Sequence, residues 1–356
     1  KKKVSIISGT VGVSDWSTNW RMKNNEAKAR GIAILLIVDP ELQKSMADNS
    51  HRITSTKMQL AEDSKAPKFE SPLVIYISEK MGNEILAKSK KSINAIKTKL
   101  QKKKTPDNFE LSALVKLKTG QGQEKLSAEN VLGYVEGSDL KSELVIVTAH
   151  YDHLGKHDGV VYNGADDDGS GTVAVMQLAR AFAEAKKQGK GPRRSMLFMC
   201  VAGEEKGLLG SDYYSRHPVF DLKKTVADLN IDMIGRLDEK HKNNSNYIYI
   251  IGSDMLSTAL HSINENANKT YVNLELDYLY NSTTDANRYY YRSDHYNFAK
   301  HNIPVIFYFN GVHADYHKET DEVQKIDFKK MEKIASLVFF TAWELSNRDE
   351  RIKVDK

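Results

Sequence analysis

The feature that most constrains the fold is a series of near-continuous apolar runs, each short enough for a strand. They read LVIVTAH at 144–150, SMLFMCVAG at 195–203, TVADLNIDMIG at 225–235, YIYIIG at 247–252 and IPVIFYF at 303–309. Runs of this kind suit strands covered on both faces. Helical periodicity intervenes at GTVAVMQLARAFAEAKKQ, 171–188, where Val175, Met176, Leu178, Ala179 and Phe182 can share one broad face, and it returns at DFKKMEKIASLVFFTAWELS, 327–346. Strands alternating with helices predict an α/β fold built on a mostly parallel, doubly wound sheet.

The first hundred residues read differently. Short apolar runs, VSIIS at 4–8, IAILLIVDP at 32–40 and PLVIYIS at 72–78, are separated by polar loops, and a lysine-rich helix is expected over 93–104. These features predict a small β-rich module over 1–105 and a larger domain over 106–356. FELSALVKLK (109–118) and ENVLGYVEG (129–137) are expected to form an antiparallel hairpin.

Composition removes several classes of function. A single cysteine, Cys200, excludes an intrachain disulfide framework and any cysteine-rich zinc site. No apolar run reaches the roughly 18 residues needed to span a bilayer, so the chain is not expected to be transmembrane. The net charge of +5 comes largely from local runs, KKK at 1–3 and KSKKSINAIKTKLQKKK at 88–104. Such runs read as a solvated face, and too few aromatics are interleaved to suggest nucleic-acid binding.

Ligands of open α/β sheets collect beyond the carboxyl ends of strands, and chemistry-bearing residues concentrate there in this chain. LVIVTA runs into His150, with Asp152 two positions on; the stretch NGADDDGSG follows; SMLFMCVAG leads into Glu204 and Glu205; LNI ends at Asp232; and IPVIFYF is followed by His313 and His317. Two bare carboxylates about 4 Å apart repel by roughly 4 kcal/mol at an effective dielectric of ~20, so the Asp166–Asp168 triplet calls for compensation. EF-hand spacing fails, because Gly164 would fall at the first ligand position when Gly169 takes the sixth. Imidazoles and carboxylates without cysteine fit a catalytic zinc or another divalent first-row ion. Their number suits two ions sharing one carboxylate of the triplet.

These residues resemble metallopeptidase family 28, the co-catalytic di-zinc aminopeptidases related to glutamate carboxypeptidase. The likeness is carried by HYDHLG (150–155), GADDDGSG (164–171), AGEEKGLLGS (202–211), NIDMIGR (230–236), YRSDHYNF (291–298) and DYHKETDEVQKID (315–327), and covers roughly 108–350. It implies a zinc-peptidase fold of the phosphorylase/hydrolase-like type and peptide substrates. It implies His150, Asp167, Glu205, Asp232 and His317 as ligands of two zinc ions bridged by Asp167, which stands three residues before Ser170-Gly171. Asp152 would hold the His150 ring through its other nitrogen, and Glu204 would be the general base. Tyr290, flanked by Tyr289 and Tyr291, occupies the place of a tyrosine that steadies the oxyanion. Arg292, Asp294 and His295 would lie at the substrate site, the last two in a supporting role.

The first hundred residues resemble a protease-associated domain, through KNNEAKARGIAILLIVDP and SPLVIYISEKMGNEILAKS. Relatives with this insertion carry peptidase sequence before it and are largely exported, so a fragment of an exported protein is expected. An aminopeptidase acting on free N-termini is the activity the resemblance implies. A carboxypeptidase would need a basic group such as Arg288 or Arg292, a glutaminyl-cyclase-like transferase would use one zinc, and a silent binding protein would dispense with the metals.

Overall fold

The computed structural model describes residues 19–50, 57–63, 72–103, 108–111, 113–118, 122 and 124–356. The chain divides into two compact units, one comprising Lys1–Lys57 and Ser64–Glu124, the other Met58–Asp63 and Lys125–Lys356.

Among its described residues the first unit contains helices α1 (Trp20–Ala29), α2 (Leu42–Asp48), α3 (Glu79–Leu86) and α4 (Ile93–Lys103) and two strands, β1 (Ile34–Val38) and β2 (Leu73–Ile77). The strands pair in parallel, Ile34 opposite Leu73 through Val38 opposite Ile77. The described part is therefore richer in helix than the expected β-rich module. Polar residues beside the apolar runs start helices instead of closing hairpins: Asn19 caps α1 by accepting from Arg21 N–H, and Ser78 caps α3 by accepting from Met81 N–H. In α4, Ile93 is buried and Lys97, Lys102 and Lys103 are exposed, which makes the lysine run a solvated face. The run at 4–8 lies outside the described residues.

The second unit is built on a seven-stranded sheet. Its strands are β3 (Val131–Val135), β4 (Leu140–His150), β7 (Arg194–Val201), β8 (Thr225–Ile231), β9 (Tyr247–Ile251), β10 (Glu275–Asp277) and β11 (Val305–Phe309), in the order β10-β9-β11-β8-β4-β7-β3. A separate small hairpin pairs β5 (Gly155–His157) with β6 (Val160–Tyr162). Neighbours β11, β8, β4 and β7 run parallel, as do β10 and β9, whereas β9 meets β11 and β3 meets β7 antiparallel. Among the described residues the expected hairpin of 109–118 with 129–137 does not form. The described residues of 109–118 contain no strand, Leu114 is 84% exposed, and β3 pairs instead with β7, Val131 opposite Cys200 through Val135 opposite Met196.

Period-2 alternation along the strands sorts side chains into two cores. Val145, Val147, Phe198, Leu229, Ile250 and Ile306 face one way, against helices α5 (Gly171–Lys187), α7 (Thr258–Ala267) and α9 (Phe328–Asn347). Ile146, Leu197, Met199, Ile251 and Phe307 face the other, with Tyr214 from α6 (Leu209–Arg216) and Phe298 from α8 (Tyr296–Ala299). Cover on both faces explains why these runs lack polar alternation. On α5, Ala174, Val175, Leu178 and Phe182 are buried, but Met176 is 60% exposed, because the i, i+4 row turns it away from the sheet. β8 stops at Ile231, short of the expected 235, since Met233 adopts a left-handed φ of 61°. The parallel strands β11, β8, β4 and β7 present their carboxyl ends along one edge.

Candidate metal centre

That edge gathers the acidic and imidazole side chains. His150, the last residue of β4, is 1% exposed; its Nε2 lies 3.3 Å from Asp167 Oδ1, 3.7 Å from Asp232 Oδ1 and 3.9 Å from Glu204 Oε2. On the other side of Asp167, Oδ2 lies 3.1 Å from His317 Nε2, which is 3.3 Å from Glu205 Oε1. The five expected ligands thus converge in two groups that share Asp167.

The three aspartates have separate tasks. Asp168 uses both oxygens on the backbone: Oδ2 accepts from His150 N–H at 3.1 Å, and Oδ1 from Gly171 N–H at 3.0 Å and Met233 N–H at 3.1 Å. It ties the ends of β4 and β8 to the start of α5, and a Cβ at Gly171 would stand 2.3 Å from its carboxylate. Asp166 Oδ1 accepts from Gly235 N–H and Ser170 Oγ, while Oδ2 faces His313 Nε2 at 3.2 Å. Asp167 alone turns its carboxylate into the open site, and its own N–H donates to Asp321. Asp168 caps α5 and Asp166 orients the turn, while His313 and Asp321 are supporting groups that had no expected role. Their signal in the sequence is the short spacing of polar residues inside one turn, which carries no information on direction.

Asp152 departs from expectation. The His150 Nδ1 partner is the main-chain oxygen of Asp152 at 3.0 Å, whereas the Asp152 carboxylate is 3.9 Å away. That carboxylate instead accepts from the N–H groups of Glu204 and Glu205 and so fixes the turn carrying both glutamates. Asp232 Oδ2 accepts from Ser293 Oγ at 2.7 Å, and Ser293 accepts in turn from Asn230 Nδ2, so a buried polar chain orients this carboxylate.

Charge is strongly coupled here. Burial raises the Glu204 carboxyl well above its ordinary value, opposed by His150 and reinforced by Asp232 and Asp294. Burial disfavours charge on the His317 ring, but Asp167 and Glu205 outweigh it and carry the ring up to about 9. In the same way Asp232 and Asp167 overcome the burial of His150 and raise its ring. Asp167 is lowered despite burial, through His150 and His317.

The donors fit divalent cations by a specific observation. His150 Nε2, Asp167 Oδ2 and Glu205 Oε1 are buried without a hydrogen-bond partner, although complementary atoms stand within 3.0–3.9 Å. Buried polar atoms are ordinarily paired, and those left unpaired here cluster where the two groups meet at Asp167, a demand that cations would satisfy.

A cleft opens onto this point. Its wall includes Met233, Tyr289, Phe307, Phe309, Val312 and Tyr316 together with Arg292, whose guanidinium lies 5.1 Å from the Tyr289 ring centre. Tyr316 stacks on His317 with ring centres 3.9 Å apart. Tyr290 does not line this wall: it is 7% exposed and packs among Tyr291, His295 and Tyr296, and burial pushes its hydroxyl up to about 12. Tyr289 takes the cleft position instead, because the short helical turn Tyr289–Tyr291 directs successive side chains to different sides. Of the three expected substrate contacts only Arg292 reaches the cleft. Asp294 and His295 are 0% exposed: Ser211 Oγ donates to Asp294, and His295 Nε2 lies 2.8 Å from the Tyr290 carbonyl. Burial raises Asp294 to about 7 and lowers His295 to about 3.

Comparison with known proteins points to the family that the motifs resemble. Over 252 residues the chain is 26% identical to aminopeptidase YwaD of Bacillus subtilis (strain 168), which covers 68% of this chain and 50% of that protein. It is 30% identical over 214 residues to a probable leucine aminopeptidase of Trichophyton verrucosum, covering 58% of this chain and 55% of the relative. The chain spans about half the length of the curated relatives it matches. Its fold resembles that of BSAP, a zinc aminopeptidase from Bacillus subtilis, with a TM-score of 0.51 and 24% identity over 63% of this chain and 52% of that one. It also resembles an aminopeptidase from Aneurinibacillus sp. strain AM-1, with a TM-score of 0.52 and 18% identity over 97% of this chain and 69% of that one. The model of Peptidase family M28 matches residues 130–342, which span the sheet and every residue of the centre, and the chain belongs to that family.

Proposed function

We propose that the chain is a zinc-dependent exopeptidase that removes residues from the free N-termini of peptides, using two ions bridged by Asp167. The observation that carries this reading is the division of Asp167, with Oδ1 3.3 Å from His150 and Oδ2 3.1 Å from His317. His150, Asp167 and Asp232 would hold one ion, and Asp167, Glu205 and His317 the other. The ions would supply a water of lowered pKa and a polarised scissile carbonyl.

The remaining roles fall to the chain's own groups. Glu204 Oε2 takes the proton from the attacking water and returns it to the leaving amine, and burial, which favours its neutral form, suits it to hold that proton between the two steps. Asp152 keeps Glu204 in place through the turn it accepts from. Met233, Phe307, Phe309 and Val312 offer an apolar wall for the side chain of the first residue and exclude water from it.

A second reading rests on Arg292, an exposed cation on the cleft wall that could pair with a terminal carboxylate, as a carboxypeptidase requires. Hydrolysis of a Leu-initiated peptide with free and with acetylated N-terminus separates the two. Cleavage from the N-terminus of the free peptide alone supports the aminopeptidase. Loss of the C-terminal residue from both peptides would transfer the assignment to the second reading.

A further inference from the structure

His153 stands outside the five-residue ligand set, yet its ring enters the centre. Its side chain is 7% exposed, and its Nδ1 lies 3.0 Å from Glu205 Oε1 and 3.9 Å from Asp167 Oδ2. Neither ring nitrogen has a hydrogen-bond partner, and neither does Glu205 Oε1. A nitrogen and a carboxylate oxygen 3.0 Å apart that fail to align with each other are directed at a third point.

The ring is also fixed in place. Gly164 holds a left-handed φ of 60°, and a Cβ there would stand 2.4 Å from His153 Cγ, so the imidazole rests directly on the backbone of the turn that carries Asp167. His317 meets it edge-on with ring centres 5.8 Å apart.

Four of the six separations among these donors are compatible with one cation. With metal–ligand bonds near 2.0–2.1 Å, tetrahedral donors stand about 3.3–3.4 Å from one another. The separations here are 3.0 Å (His153–Glu205), 3.9 Å (His153–Asp167), 3.1 Å (His317–Asp167) and 3.3 Å (His317–Glu205), which bracket that edge. We propose that His153 is a fourth protein ligand of the ion held by Asp167, Glu205 and His317. The inference rests on the two-ion reading above and makes the two positions unequal. The second has protein donors on all four corners, as in a closed site, while the position of His150, Asp167 and Asp232 keeps a corner open beside Glu204.

The test is 113Cd NMR of the full chain loaded with two cadmium ions and labelled with 15N-histidine, where one-bond coupling counts the imidazoles on each ion. The expected spectrum is one doublet, from His150, and one triplet, from His153 and His317. His153→Ala is expected to turn the triplet into a doublet. Two doublets in the unsubstituted protein would overturn the His153 assignment and leave the two-ion reading intact. Failure to take up two cadmium ions would overturn that reading itself.

Discussion

His150 Nδ1 is held at 3.0 Å by the main-chain oxygen of Asp152, while the carboxylate of the same residue serves the N–H groups of Glu204 and Glu205. Ring orientation and glutamate orientation thus depend on different parts of one residue. Asp152→Ala leaves the carbonyl in place, so the ion at His150 is expected to stay bound while turnover falls about 10–100-fold through misplacement of Glu204. Metal content and kcat measured together check this. Loss of an ion in the variant would return the ring-holding role to the carboxylate.

Glu204 lies 3.9 Å from His150 Nε2 and belongs to neither ligand group. Glu204→Gln preserves shape and removes the proton acceptor. It is expected to keep its bound metal and to lose about 10²–10⁴-fold in kcat, the range for a general base. A variant that turned over normally would remove Glu204 from the reaction.

Asp167 and Asp168 are adjacent and chemically identical, and their substitutions are expected to fail in opposite ways. Asp168 accepts three backbone N–H bonds across β4, β8 and α5, so Asp168→Ala leaves buried donors unpaired and lowers unfolding free energy by on the order of 3 kcal/mol. Asp167→Ala removes the shared carboxylate and is expected to lose metal, and its cost to metal-free stability is confined to the lost pairing with His150 and His317, without the unpaired backbone donors that Asp168→Ala leaves. Urea unfolding in chelator, paired with metal analysis, distinguishes the two. Equal effects in both assays would contradict the division of labour.

Much of this was legible in the sequence because buried strands and strand-end ligands leave local marks. Near-continuous apolar runs give β4, β7, β8, β9 and β11, and the motifs point to His150, Asp167, Glu205, Asp232 and His317. What was not legible depends on direction and distance. A run of three aspartates does not say which one turns outward. Three successive tyrosines do not say that Tyr289 lines the cleft while Tyr290 is packed away. The pairing of β3 with β7 joins segments about sixty residues apart, and no local pattern encodes it. His153 was overlooked for the same reason: its partner Glu205 comes from another strand end.

Lys330 offers a prediction away from the centre. It is 3% exposed, donates to the Tyr247 carbonyl at 2.6 Å, and lies 3.6 Å from the centre of the Tyr247 ring. Burial draws its ammonium down to about 7, against the opposing pull of Asp166, Asp327 and Asp238. Below that pH the folded and unfolded chains both carry the proton, and the folded state bears the full burden of a buried charge. As pH rises from about 7 toward the ordinary lysine value near 10.4, the unfolded chain binds more protons than the folded one, so the lysine's contribution to stability rises with pH. Lys330→Met removes this dependence. Its unfolding free energy relative to the parent is therefore expected to fall as pH is raised from 7 to 9.5, by on the order of a few kcal/mol. Urea midpoints of both proteins, measured across that interval in chelator to silence the centre, give the answer. A difference that stays constant with pH would mean that the ammonium remains charged in the folded protein throughout, held by Asp166, Asp238 and Asp327 more strongly than burial opposes it.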